Sequence, residues 1–136
     1  FLGPYGASKH AIEAVAESLR EELRPWDVAV SVVEPGAVTT PIWTKGRAFA
    51  DQLEGRLPAE AHALYDDAIA HLRRTIDTQE RVGVPPDRVA AVVERALTTA
   101  RPRYRYLVGR DAKGAGILDR LLPDRAMAYV TRRLGP

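Results

Sequence analysis

Apolar side chains recur at helical spacing along residues 5–24. Pro4 suits the first turn of a helix, and no other proline follows until Pro25. The segment also lacks glycine after Gly6, so nothing inside it interrupts a helix. The pattern therefore predicts one long amphipathic helix at the start of the chain.

This predicted helix has a wide apolar sector. At about 100° per residue, one arc carries large apolar residues and the adjoining arc small ones. The first arc is Ile12, Val15, Ala16, Leu19 and Leu23, large except for Ala16, and the small set is Ala7, Ala11, Ala14 and Ser18. Such a sector exceeds the stripe of a one-sided surface helix. We expect the large residues to cover a sheet and the small ones to meet another helix, with Glu13, Glu17 and Arg20 in water.

A short buried strand is predicted next, over residues 28–33, where "VAVSVV" is apolar almost throughout. Continuous apolar runs of β-branched residues are typical of parallel strands covered on both faces. The run stops at Pro35 and Gly36, and Pro41 follows, so an irregular loop is expected at the carboxyl end of the strand. Ligands of open α/β sheets bind at that end.

The remainder of the chain predicts mainly helices. Residues 45–82 are polar with helical patches, and one helix is expected to begin near Pro58 and to end before Gly83. "PPDRVAAVVERALTTA" predicts a further helix from Pro86 or Asp87, "RYRYLVG" a short strand, and residues 117–134 one or two helical turns interrupted at Pro123. Two strands among these helices indicate an α/β fold.

Composition narrows the class of protein. With 136 residues, of which 46% are hydrophobic and 28% charged, the chain is long enough for one domain with a packed core. It has no apolar run of transmembrane length, no signal-peptide pattern and no cysteine. The lack of cysteine fits a reducing compartment, and the expected location is the cytoplasm.

Charge and histidines give little sign of nucleic-acid or metal binding. The net charge is +2, and "RPRYRYLVGR" interleaves arginine with tyrosine as a nucleic-acid surface can. A solvated strand with Tyr104, Tyr106 and Val108 on one face explains that stretch more simply. His10, His62 and His71 lack the spacing of metal ligands. We expect no nucleic-acid partner and no metal, and a salt-dependent binding assay would test the first expectation.

Tyr5 and Lys9 are the strongest candidates for chemistry. They lie one helical turn apart, so a phenol and an ammonium share one face at the start of the helix. A buried strand follows them, and then Pro35, Gly36, Val38 and Thr40 in the pattern PGxVxT. In this order of motifs the sequence resembles the short-chain dehydrogenase/reductase family, specifically over residues 3–43 and coarsely over the whole chain.

The resemblance implies the roles of the first motif. Tyr5 would be the general acid/base that exchanges a proton with the substrate oxygen while hydride moves to or from nicotinamide. A free phenol ionises only at strongly alkaline pH, so a neighbouring positive charge is needed to favour phenolate. Lys9 would supply that charge and would also hold the nicotinamide ribose hydroxyls. The implied cofactor is NAD or NADP.

The resemblance also assigns the second motif to the cofactor. Pro35 and Gly36 would let the backbone approach it, Val38 would offer backbone groups to the carboxamide, and Thr40 a hydroxyl to the carboxamide or a phosphate. Apolar residues follow the motif. Core packing and substrate binding are both open for Ile42, Trp43, Phe49, Leu64 and Tyr65. As substrate-binding residues, Ile42 and Trp43 would favour a hydrophobic alcohol or ketone, such as a steroid, retinoid or lipid.

The sequence departs from the family by lacking a glycine-rich dinucleotide loop, and the family's serine and asparagine would precede Phe1. The expected fold is therefore the C-terminal part of a doubly wound Rossmann-type parallel sheet, with the N-terminal half absent. Within that single domain we expect a catalytic helix, strand and cofactor loop at 1–44, a substrate lid at 45–84, and a C-terminal helix, strand and tail at 85–136.

Two functions remain open from the sequence. The first is an oxidoreductase whose full-length form assembles as a homo-oligomer through the small-residue arc of the helix. The second is a non-catalytic truncated fragment that acts only as a dimerisation or interaction module. A TGxxxGxG coding stretch upstream would support the first function, and a genuine start codon near Phe1 would support the second.

Overall fold

The structure is a computed structural model that describes residues 3–123, 125–127 and 129. These residues form five α-helices, one 3₁₀ turn and two β-strands. In chain order they are α1 (Gly3–Leu23), a 3₁₀ turn (Arg24–Trp26), β1 (Val32–Pro35), α2 (Ile42–Glu54), α3 (Ala59–Val82), α4 (Pro86–Thr98), β2 (Arg105–Val108) and α5 (Arg110–Leu121).

β1 and β2 form a parallel two-stranded sheet, in which Val32 lies opposite Arg105 and Pro35 opposite Val108. The crossover between them contains α2, α3 and α4. A single parallel bridge between Val38 and Val84 continues the pairing just past the end of β1. The predicted α/β class with parallel strands is confirmed, and the arrangement is that of part of a Rossmann-type sheet.

Prolines and glycines set the helix boundaries much as predicted. α1 ends at Leu23, where a 3₁₀ turn containing Pro25 follows, and Asp27 then adopts a left-handed conformation with φ of 54°. α3 stops before Gly83, and α4 begins at Pro86. Pro at the first helical position costs no hydrogen bond, because that N–H has no partner within the helix.

Three predicted elements differ from the observed ones. The strand lies at Val32–Pro35 rather than 28–33, because β2 pairs only with those residues. α5 begins at Arg110, seven residues before the predicted helical turns, and α2 is a regular helix where the sequence showed only helical patches. Residues 125–127 and 129 are helical, and the rest of the predicted tail after Pro123 lies outside the described residues.

The orientation of α1 reverses the expectation. Ile12 and Val15 of the large-residue arc are 57% and 58% exposed, whereas Glu13 faces the sheet. The Tyr104 hydroxyl donates to the Glu13 carbonyl oxygen at 3.5 Å, and Arg105 on β2 pairs with the Glu13 carboxylate at 3.3 Å. Charged groups hold this face of α1 on the two-stranded sheet, while Ile12 and Val15 of its apolar arc are left largely exposed by the residues that the structure describes.

Arg105 joins α1 and β1 through charge. Its guanidinium donates two hydrogen bonds of 2.7 Å to the Glu34 carboxylate and also reaches Glu13. The hydrogen bonding to Glu34 raises the pKa of Arg105, so the cation persists at every physiological pH. On the same face, Arg20 lies 4.5 Å from the centroid of the Tyr104 ring.

Helices α2 and α3 are cross-linked by two arginines. Arg47 of α2 donates to Glu80 at 2.6 Å, and Arg73 of α3 pairs with Glu54 and with Asp51, the latter at 2.7 Å. The hydrogen bond from Arg47 lowers the pKa of the Glu80 carboxyl. The contribution of this pair to stability is therefore present at neutral pH and is lost as the pH falls through that lowered pKa.

Burial is shallow throughout the described part of the chain. Val108, at the carboxyl end of β2, is the one residue among them that is buried, with 5% of its surface exposed. The best-packed point of the structure is thus the edge at which β1 and β2 end. Within the described residues, no helix combines the length and the apolar character needed to cross a membrane.

Candidate active site

Tyr5 and Lys9 lie together at the amino end of α1. The Lys9 ammonium is 5.1 Å from the centroid of the Tyr5 ring, as their spacing of one turn predicts. Both side chains are exposed, Tyr5 by 62%. The Ser8 hydroxyl donates to the Tyr5 carbonyl oxygen at 2.7 Å. An accessible phenol beside an ammonium can exchange protons with a ligand that approaches this end of the helix.

The segment after β1, residues 36–40, forms a loop that we call the PG loop. Its backbone is held from two neighbouring segments. The Gly36 N–H donates to the Val108 carbonyl oxygen at 2.9 Å, which extends the pairing with β2. The Val84 N–H donates to Ala37, and the Thr39 N–H donates to Val84, both at 2.9 Å. These bonds fix the path of the PG loop between β2 and the start of α4.

Asp111 is a further contact of the PG loop that the sequence analysis missed. The Ala37 N–H donates to its carboxylate at 2.7 Å, across 74 positions of sequence. Asp111 belongs to the first turn of α5, which follows β2 directly. One signal could have found it, because carboxyl ends of parallel strands meet at one edge of a sheet and Asp111 comes three residues after the end of β2.

Gly36 leaves space for the Asp111 side chain in this structure. A Cβ atom placed there would lie 2.0 Å from Oδ2 of Asp111, which is far closer than any real contact. The sequence analysis expected Gly36 to let the backbone approach a cofactor. The group that occupies the space beside it here is the Asp111 carboxylate.

Val38 and Thr40 of the PG loop line an apolar groove together with residues of α4. The α4 side chains in the groove include Val89, Val93 and Leu97. The Val38 carbonyl oxygen accepts a hydrogen bond from the Trp43 indole Nε1–H at 2.7 Å. A carbonyl oxygen has two lone pairs, so this bond leaves Val38 able to accept a second donor.

Ile42 and Trp43 begin α2 directly after the PG loop. Ile42 is 66% exposed, and Trp43 is half-buried with its indole N–H on Val38. Trp43 therefore has a contact with the PG loop that is independent of any substrate. Their assignment to substrate binding stays a prediction.

The structure brings together two clusters of predicted residues: Tyr5 with Lys9, and Gly36 with Val38 and Thr40. Hydrogen bonds and charge join α1 to the sheet farther along the helix, through Glu13 and Arg20. Among the described residues, no group of three or more histidine, aspartate or glutamate side chains could hold a metal ion.

The donor groups match one end of a nicotinamide dinucleotide. An ammonium with three donors suits ribose hydroxyls, while the Thr40 hydroxyl and the Val38 backbone suit a carboxamide. A pyrophosphate site normally needs a glycine-rich turn at the amino end of a helix. The 136 residues contain no such glycine-rich motif. By residue type, Lys9, Val38 and Thr40 would suit the nicotinamide half of such a cofactor.

Comparison with known proteins gives one match to a family model. The model for short chain dehydrogenases matches residues 1–51, which contain α1, β1, the PG loop and the start of α2. Both predicted motifs thus lie within the matched segment. No solved structure matches the chain.

Curated relatives match over most of this chain. It is 32% identical to an NADPH-dependent 3-dehydrocapnine reductase of Ornithobacterium rhinotracheale, with 93% of this chain and 42% of that protein covered. It is 35% identical to mouse retinol dehydrogenase 5, with 94% and 42% covered. It is 30% identical to bovine 17-beta-hydroxysteroid dehydrogenase type 6, with 100% and 44% covered. The chain spans about two-fifths of the length of these relatives.

Proposed function

The chain belongs to the short-chain dehydrogenase/reductase family, and from that premise we propose that it carries the proton-transfer and nicotinamide-facing groups of an oxidoreductase. The proposed reaction moves a hydride between NAD or NADP and an alcohol or its ketone. The observation that supports it most is the pair of Tyr5 and Lys9 on one exposed face, with the ammonium 5.1 Å from the ring centroid.

The proposed roles follow from the chemistry of each group. A bound nicotinamide supplies or accepts the hydride. Tyr5 gives a proton to the substrate oxygen during ketone reduction and takes one during alcohol oxidation. Lys9 favours the phenolate through its positive charge and holds ribose hydroxyls. Val38 and Thr40 would hold the carboxamide of the nicotinamide.

The substrate is proposed to be an apolar alcohol or ketone. Ile42 and Phe49 of α2 are exposed by 66% and 64%, so apolar side chains line the approach from the PG loop along α2. Two relatives are a retinol dehydrogenase and a 17-beta-hydroxysteroid dehydrogenase, and both names denote alcohols with large apolar skeletons. The α2–α3 pair would cover such a substrate as a lid.

The direct test is an assay of the full-length protein, as its gene encodes it, with NAD or NADP and a series of apolar and small alcohols. Formation of reduced nicotinamide with at least one apolar alcohol is expected. If no alcohol or ketone in the series is turned over with either cofactor, while the protein still forms a defined oligomer, the alternative of an interaction module is favoured.

Trp43 tests the substrate class. Trp43→Ala should raise KM for bulky apolar alcohols by about tenfold, the usual scale for a lost large apolar contact, and much less for small alcohols. Trp43→Phe keeps an aromatic ring but removes the N–H that donates to Val38. If Trp43→Ala raises KM equally for bulky and small alcohols, and Trp43→Phe raises both KM values in the same way, the role of Trp43 is to hold the PG loop.

Assembly is the second proposal on this site, because α1 exposes both of its apolar arcs. The small residues Ala7, Ala11 and Ala14 are exposed beside the exposed large ones. We propose that α1 pairs with α1 of a second copy in the full-length homo-oligomer. Close packing of two helices requires small residues at the contact, and a long charged side chain there would separate them.

Ala11→Arg or Ala14→Arg should therefore shift the full-length protein toward monomer in sedimentation velocity. Glu17→Arg, at an exposed position of the same helix about 60° away from the nearest residue of the small-residue arc, is the matched control and should leave the oligomer intact. An unchanged sedimentation coefficient in both alanine variants would mean that the small-residue arc packs only within one chain.

A further inference from the structure

We propose that Asp111 is a positioning residue for the cofactor: its carboxylate anchors the PG loop through the Ala37 N–H and so holds Val38 and Thr40 in place. This inference rests on the proposed function, because it concerns the same nicotinamide site. It adds a residue that lies 60 positions beyond the segment matched by the family model, which ends at residue 51.

The first support is the bond itself. The Ala37 N–H donates to Oδ2 of Asp111 at 2.7 Å, a length typical of hydrogen bonds to a charged acceptor. Ala37 immediately precedes Val38, so this bond fixes the peptide plane next to the one proposed to face the carboxamide. Loss of the bond would free that peptide to rotate while leaving the strand pairing at Gly36 intact.

The second support is that two glycines make room for the same carboxylate. A Cβ at Gly36 would lie 2.0 Å from Oδ2, and one at Gly109 would lie 2.4 Å from Oδ1. Gly109 also has φ of 109°, a backbone conformation that residues with side chains rarely adopt. Both oxygens of Asp111 thus lie against bare backbone at the end of each strand.

The third support is the rigidity of the platform that carries Asp111. Asp111 comes three residues after Val108, the buried residue at the end of β2, and lies in the first turn of α5. The Lys113 N–H donates to the Gly109 carbonyl oxygen at 3.3 Å and closes that turn. A carboxylate on a fixed helical turn can set the position of a loop that otherwise has few side-chain contacts.

The other contacts of the PG loop do not make this anchor redundant. Val84 holds the Ala37 carbonyl oxygen and the Thr39 N–H, and Trp43 holds the Val38 carbonyl oxygen. Asp111 is the partner of the Ala37 N–H. Its side chain is exposed, so water competes with the bond, and we expect an effect at the lower end of the range for hydrogen bonds to charged groups.

The experiment uses the full-length protein with Asp111→Ala, Asp111→Asn and, as a matched control on the same helix, the exposed Asp119→Ala. Amide hydrogen exchange of the PG loop is measured without cofactor, and the Kd of NAD and NADP is measured by fluorescence titration. Asp111→Ala should speed exchange at Ala37 and weaken cofactor binding by about tenfold. Asp111→Asn retains an acceptor oxygen, so it should recover part of the slow exchange at Ala37 and part of the cofactor affinity. Asp119→Ala should match wild type in both measurements.

A double-substitution cycle separates the two reasons for Gly36. Gly36→Ala alone should displace the carboxylate and weaken cofactor binding about as much as Asp111→Ala. In the Asp111→Ala background the three atoms nearest to a Cβ at Gly36 are removed, so Gly36→Ala should add less than about twofold. If the double variant loses as much further cofactor affinity as Gly36→Ala alone, the lack of a side chain at Gly36 makes room for the cofactor, as expected from the sequence. That result would overturn this part of the inference.

The failures of the two proposals are distinguishable. Unchanged exchange at Ala37 in Asp111→Ala overturns the anchor, and faster exchange with an unchanged cofactor Kd overturns its role in positioning the cofactor. If wild type binds neither NAD nor NADP while Ala37 exchange responds to Asp111→Ala, the anchor is supported as a feature of the loop and the proposed function fails.

Discussion

We expect Tyr5→Phe to lower the turnover number of the full-length protein by at least about a hundredfold, the usual scale for a positioned acid/base. Phenylalanine keeps the ring beside Lys9 but removes the proton that the reaction transfers. Because Tyr5 is 62% exposed at the end of α1, the loss of its hydroxyl should leave the fold and most of the cofactor affinity unchanged. The measurement is steady-state turnover together with a cofactor titration of the same preparation.

Lys9→Ala removes the second residue of the Tyr5–Lys9 pair. Lys9 is proposed both to favour the phenolate and to hold ribose hydroxyls, so its loss should weaken cofactor binding and turnover together. Two variants are the controls. Lys45→Ala changes an exposed lysine on α2, and Tyr129→Phe changes a tyrosine outside the segment that the family model matches. Near-normal turnover in Tyr5→Phe, with the controls also active, would contradict the assignment of Tyr5 as the acid/base.

Helix boundaries were predictable because they are encoded locally. The prolines and glycines that bound α1, α3 and α4 act within a few residues of the helix ends, and the structure places those ends at Leu23, Val82 and Pro86. α5 was predicted too late. Its first turns contain Gly114 and Gly116, which lower helix propensity and hide the pattern.

Features that depend on a distant partner were not predictable. The apolar run 28–33 marks an extended segment, but only pairing with β2 defines the strand as Val32–Pro35. Amphipathicity gives the angular width of the apolar sector of α1 but not the identity of its neighbour, so the facing of Glu13 toward the sheet was missed. The two motifs can be recognised in the sequence because they are short and ordered, and the roles of their residues stay predictions. The Asp111 contact joins residues 74 positions apart, so no short motif contains it.

The 136-residue chain by itself presents a large uncovered surface. A compact monomer of 15.0 kDa exposes roughly 7,000 Å², and this chain exposes 10990 Å². Exposed large apolar side chains contribute to this surface, among them Ile12 and Val15 of α1, which are more than half exposed. Contiguous apolar surface of this kind associates with other surfaces. We therefore expect the isolated chain to aggregate or to require a partner, with light scattering as the measure.

We expect the soluble monomeric fraction of that isolated chain to bind neither NAD(H) nor NADP(H) measurably at micromolar concentrations. Lys9, Val38 and Thr40 offer donors and acceptors to the nicotinamide end alone, while most contacts to a dinucleotide pyrophosphate come from a glycine-rich turn that these 136 residues do not contain. Binding through one end of the ligand must still offset the full loss of its translational and rotational freedom. Isothermal calorimetry on the monomer, with the full-length protein as the positive control, measures the difference. Stoichiometric micromolar binding by the isolated chain would show that its own residues form a complete dinucleotide site, and the nicotinamide-only assignment of Lys9, Val38 and Thr40 would be wrong.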